Sequence, residues 1–155
     1  MKLAHLPTLL LSTLLSLSSL YAKDAIQWTS DFPNVPDEHG YAGPFAGVVG
    51  SGSDRWLVFG GGANFPDGAP WETDSEGNKP AKIWHDSLFA IPLSPEGLTP
   101  KGEWQALTQT LPEKLGYGSS VTLPARNSAL FIGGNRATTD GTYHSPKVFE
   151  VTRNN

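Results

Sequence analysis

The chain has 155 residues, 17 Gly, 13 Pro, no Cys and a formal net charge of -4, with 38% hydrophobic and 17% charged residues. Length allows one ordinary domain, and the Gly/Pro content disfavours long helices and suits short strands joined by tight turns. The absence of Cys excludes disulfides and thiolate metal sites, and an acidic chain without a Lys/Arg cluster offers no footprint for nucleic acid.

Met1-Lys2 is a short basic start, Leu9 to Leu20 is an apolar run padded with Ser and Thr, and Leu20-Tyr21-Ala22 resembles a cleavage site. That run is too short for a stable span, which takes about 20 residues. Residues 1–22 are therefore expected to be a signal peptide, with a periplasmic mature chain and no membrane attachment after cleavage. Trp28 is expected to pack, and the segment from Asp31 to Pro36 reads as prolines that break any ladder. Strands are expected over 43–49 and 55–59, joined by a Gly/Ser/Asp turn at 50–54, then over 87–93 after a long polar loop, and over 103–107.

The phrase Trp56-Leu-Val-Phe-Gly-Gly returns as Ala129-Leu-Phe-Ile-Gly-Gly134. Placing Gly60 on Gly133, an offset of 73, also aligns Gly43 with Gly116, Val48 with Val121 and Leu57 with Leu130 without a gap. Trp28 and Trp104 stand upstream of the two glycine pairs, and Phe89 and Phe149 downstream, so the first loop carries about 13 extra residues and the period is about 60. The fold class expected is all-β, a kelch-type β-propeller of which residues 23–155 hold about two blades, with a probable six in the ring. Blade one is expected at about 28–93 with its loop at 62–86, and blade two at about 104–151. Propellers close with roughly 4–8 blades, so a fragment, or a chain that needs further blades or self-association, is the expectation. The isolated chain is expected to be poorly soluble or molten.

The residues Gly43-Pro-Phe-Ala-Gly47, Gly61-Gly-Ala-Asn-Phe-Pro-Asp-Gly68, Pro70-Trp-Glu72 and Lys82-Ile-Trp-His-Asp86 resemble the cyclically permuted branch of the kelch-type sialic acid mutarotases, or N-acetylneuraminate epimerases. Gly116-Tyr-Gly-Ser-Ser-Val121 and Phe131-Ile-Gly-Gly134 are similar to that family's next blade. The resemblance implies a periplasmic six-bladed isomerase that interconverts the anomers of sialic acid without metal or organic cofactor. There are two departures. The link over 72–82 is longer than the family's, and its acid/base pair, a Glu after a strand-end Gly and an Arg beyond, has no counterpart: Asn135 and Arg136 follow the second glycine pair. A non-catalytic carbohydrate- or protein-binding module, or an inactive truncated product, is the alternative.

Mutarotation needs a proton taken from the anomeric hydroxyl and one given to the ring oxygen, within reach of Glu or His. Glu72 and His85 are the candidates for that role. A carboxylated sugar favours Lys or Arg, its apolar face an aromatic ring, and its hydroxyls Asn. Asn64, Trp71, Lys82, Tyr117 and Arg136 are the candidate substrate-binding residues. Each also has a structural reading: a turn for Asn64, a loop hydrogen bond for His85, inter-blade packing for Trp84. The stretch Asp74-Ser-Glu-Gly-Asn78 lacks the alternating ligands and terminal Glu of a calcium loop, so no metal site is expected.

Overall fold

The computed structural model describes residues 28–153; the expected leader lies outside them. The described chain is all-β with one short 3-10 turn. Eleven strands follow in order: β1 Phe45–Ser51, β2 Asp54–Gly60, β3 Ala63–Asn64, β4 Ile83–Trp84, β5 Ser87–Leu93, β6 Gln105–Thr110, β7 Ser119–Leu123, β8 Ser128–Ile132, β9 Asn135–Thr138, β10 Gly141–His144 and β11 Val148–Thr152.

Two larger antiparallel sheets carry the fold, ordered β1-β2-β5-β6 and β11-β8-β7. The first hairpin turns on Gly52 and Ser53 between the paired Ser51 and Asp54, and Gly52 has a φ of 55°, which a residue with a Cβ rarely adopts. The turn is therefore tighter than the one expected from composition. In the second hairpin the turn is the 3-10 segment Pro124–Arg126, ended by Asn127 in the left-handed region. Despite different turns, the two hairpins share one register: Val48 pairs with Leu57, and Val121 pairs with Leu130. The residue match is set by the backbone bonds at the strand ends: the Gly61 N–H donates to the Ser87 carbonyl as the Gly133 N–H does to that of Lys147, so Gly61, not Gly60, stands where Gly133 does.

The third strands keep that match. Phe59 pairs with Phe89, 30 residues on, and its counterpart Phe131 pairs with Phe149, 18 residues on. The first loop therefore carries 12 extra residues, and Phe89 matches Phe149. β6 begins two residues later than expected. It is hydrogen-bonded to β5 across a bulge between Ser87 and Phe89 and is the fourth strand of the first sheet. The loops after each glycine pair are not structureless. β3 and β4 form a two-residue ladder, and β9 and β10 form a hairpin with Thr138 paired to Gly141.

Between the sheets lies one core that includes Phe45, Val49, Val58, Leu88, Ala129 and Phe131, with Phe45 stacked on Phe131 at 5.2 Å between centroids. Val58 and Phe131 both point into it, and Phe131 matches Phe59, which lies on the other face of the first sheet from Val58, so the sheets meet through opposite faces. The approach is close because Gly47 has no side chain; a Cβ there would land on the Cβ of Ala129. The opposite face of the first sheet is sealed by its own aromatics. Phe59 stacks on Phe89 at 5.2 Å and takes the edge of Trp104 at 4.9 Å, and the indole of Trp104 donates to the carbonyl of Pro33. Trp104 is thereby packed, whereas Trp28, expected to pack, is 97% exposed.

Candidate functional site

The glycine pairs position the site. Gly61, Gly62, Gly133 and Gly134 have φ values of 66°, 82°, 65° and 102°, so both repeats turn sharply where β2 and β8 stop. The Gly62 N–H donates to the carbonyl of Leu115 at 2.7 Å, and a Cβ on Gly116 would stand 2.9 Å from the Gly62 Cα. Tyr117 donates its N–H to the carbonyl of Gly43 at 2.7 Å and is itself held at a φ of 59°. The loops of the two repeats are thereby clamped together at one end of the sheets.

The β3–β4 ladder narrows the neck of the long loop, and β4 sorts its neighbours by alternation. Lys82 and Trp84 fall on one side; Ile83 and His85 fall on the other. On the first side, the Lys82 ammonium donates to the Tyr117 hydroxyl at 2.8 Å. It also lies 4.6 Å from the centre of the Trp84 ring and 4.3 Å from that of Tyr117. Trp84 and Tyr117 meet edge to face at 5.6 Å, so Trp84 bridges the two repeats as its packing reading required. Among the described residues, Lys82 has no carboxylate partner. Its positive charge is instead stabilised by the negative faces of the rings.

On the second side, His85 Nε2 lies 2.9 Å from Asn64 Oδ1. The Asn64 amide donates at 3.1 Å to Asp37 Oδ2 and at 3.1 Å to the carbonyl of Gly40. Asn64 is buried at 5% exposure, so its polar atoms are committed to protein partners instead of a ligand. Tyr41 and His85 meet edge to face at 5.1 Å between ring centres. The backbone N–H of His39 holds the Asp37 carboxyl below its ordinary value, and the bond from Asn64 acts in the same direction against partial burial. Burial, reinforced by the nearby Asp37 charge, raises the Tyr41 hydroxyl above its own.

Glu72 stands apart from His85. Its carboxylate accepts the Ala69 N–H at 2.9 Å, which folds the loop tip, and with His39, Asn64 and Phe65 it lines an open cleft of about 490 Å³. Trp71 joins neither cluster and is 79% exposed. Arg136 turns to its own hairpin: the guanidinium lies 5.2 Å from the centre of the Tyr143 ring, and its Nε is sealed without a partner. Asp74 closes an Asx turn onto the N–H groups of Glu76 and Asn78, and among the described residues no group of acidic and His side chains is disposed to hold a metal ion. Sequence reasoning missed Asp37, His39 and Tyr41, which lie just past the Asp31–Pro36 segment in a stretch given no reading. The signal present there was Asp-x-His-Gly, an acidic residue capping a tight turn just before a strand. No family model, curated protein or solved structure matches the chain.

Proposed function

We propose that this chain belongs to a kelch-type β-propeller that binds sialic acid at one rim and accelerates exchange between its anomers. The observation that carries this reading is Lys82, an ammonium without a carboxylate partner among the described residues, fixed by Tyr117 and the Trp84 face. One of its N–H groups is used by Tyr117. The remaining two suit the carboxylate of an acidic sugar, and the exposed part of the Tyr117 ring suits the sugar's apolar face. His85 is the candidate proton-transfer group; it lies on the other side of the two-residue strand β4 from Lys82, so the sugar must extend past the end of that strand to meet both. The one-sided fixing of charge beside aromatic faces is the property of an acidic-carbohydrate site. The glycine-ended hairpins of common register support the propeller part of the reading.

A second reading, a sugar-binding module without catalysis, draws on Glu72. Its carboxylate serves a loop amide, and the mutarotase acid/base pair is missing from the sequence. One experiment separates the two. Anomer exchange of N-acetylneuraminate is followed by NMR with and without the protein, alongside direct binding of the sugar. Acceleration supports the enzyme; binding without acceleration supports the module; neither overturns both. Lys82→Met preserves the packing stem and removes the charge. It is expected to weaken sugar binding by about tenfold, the loss of one charge-assisted contact of about 1.5 kcal/mol. Unchanged binding would remove Lys82 from the site.

A further inference from the structure

The side chain of Asn64 has neighbours of fixed hydrogen-bonding character. Asp37 and the Gly40 carbonyl can only accept, so both must face the Asn64 NH₂, which leaves Oδ1 turned toward His85. An amide oxygen only accepts. The imidazole nitrogen 2.9 Å away must therefore carry a hydrogen. This elimination does not depend on which way the amide was placed, because the opposite orientation would set an oxygen against two acceptors.

We infer that Asp37 and Asn64 form a positioning pair that holds neutral His85 in the Nε2–H tautomer. Nδ1 is then left as the atom that exchanges a proton with a ligand. Nδ1 has no hydrogen-bond partner among the described residues, and it is not sealed from solvent as the Trp84 Nε1 is. The ring is further fixed from its backbone, where the His85 N–H donates to the Gly62 carbonyl at 3.0 Å, and by its T-shaped contact with Tyr41. The charged and titratable groups around it are Asp37 through Asn64, His39 against Asp37, the Tyr41 hydroxyl, and Asp86 next in the chain. Asp37 and Asn64 act through His85 and touch no ligand. The inference rests on the proposed role of His85 only for the partner of Nδ1; the tautomer stands independently of it.

The test uses ¹⁵N-labelled imidazole spectra of the full chain. At a pH where His85 is neutral, a correlated Nε2–H signal is expected, protected from exchange with water by Asn64. In Asn64→Ala and Asp37→Asn that hydrogen is expected to exchange at least about fivefold faster, the factor that one neutral hydrogen bond of about 1 kcal/mol represents. His85→Gln keeps a donor for Asn64, and is expected to preserve the fold while removing Nδ1. An Nδ1–H tautomer, or unaltered exchange in both variants with the fold intact, overturns the positioning pair. If the tautomer is as inferred but the protein does not accelerate anomer exchange, the pair stands and the mutarotase reading falls. If the protein accelerates exchange and His85→Gln does so equally well, Nδ1 is excluded as the proton-transfer atom.

Discussion

Asp37 illustrates how little local sequence reveals about a residue's work. It is a turn residue by position, its Oδ1 accepting the N–H of His39 at 2.8 Å, yet its other oxygen orients Asn64, 27 residues away. Both bonds favour the carboxylate, which lies below its ordinary value of 3.8. A carboxyl depressed in the folded chain stabilises it above the unfolded value and loses that contribution as pH falls through the folded one. The Asp37 anchor should therefore persist through the neutral range and release only below 3.8. A ¹³C carboxyl titration is expected to place the Asp37 midpoint below that value, and Asn64→Ala to move it upward. A midpoint at or above 3.8 in the unsubstituted chain would show that these bonds do not hold the charge.

At the scale of elements, the repeat was legible because its signal is purely local. Equal numbers of residues between Val48 and Leu57, and between Val121 and Leu130, produced equal registers through different turns. The residue match was legible only to within one position, because hairpin register fixes the sum of the two strands' offsets and the backbone bonds at the glycines set the offset of β8 at 72. β9 and β10 were not seen at all: Asn-Arg-Ala-Thr and Gly-Thr-Tyr-His alternate without an apolar face to bury. The site was half legible. Lys82, Tyr117 and His85 were named from residue type, but their division between the two sides of β4 follows from a ladder only two residues long. The contact between repeats was also invisible. Thr122 Oγ1 accepts the Val48 N–H at 3.0 Å, and Ser120 Oγ accepts the Ala46 N–H at 3.1 Å, so side chains of β7 satisfy amides on the free edge of β1. Thr122→Val keeps the shape and strands the Val48 N–H. It is expected to destabilise the chain by about 1–3 kcal/mol, read as a lower urea midpoint at unchanged slope. No shift would mean that water replaces the hydroxyl there.

For the whole molecule, the two sheets bury one shared face each, and what remains is unequal. The first sheet covers its other face with Tyr41, Phe89 and Trp104. The second has no such cover among the described residues: Val121, Ile132 and Val148 are 42%, 37% and 55% exposed on one side of it, beside the unpaired edge of β11. A ring generated by rotation sets each face against the opposite face of the next sheet, and these two sheets meet in that way. The propeller reading therefore requires that the second sheet's open face also find a neighbour. An apolar face beside a free strand edge associates in water whether or not a ring forms. The poor solubility expected from the sequence thus gains a location. The chain should self-associate as its concentration rises, and the Ile132→Lys, Val148→Lys double variant should reduce that association while leaving the circular dichroism of the sheets unchanged. Sedimentation across a concentration series reads this directly. A chain that stays monomeric throughout, with both residues native, would show that the open face needs no neighbour, and the propeller reading would lose its structural motive.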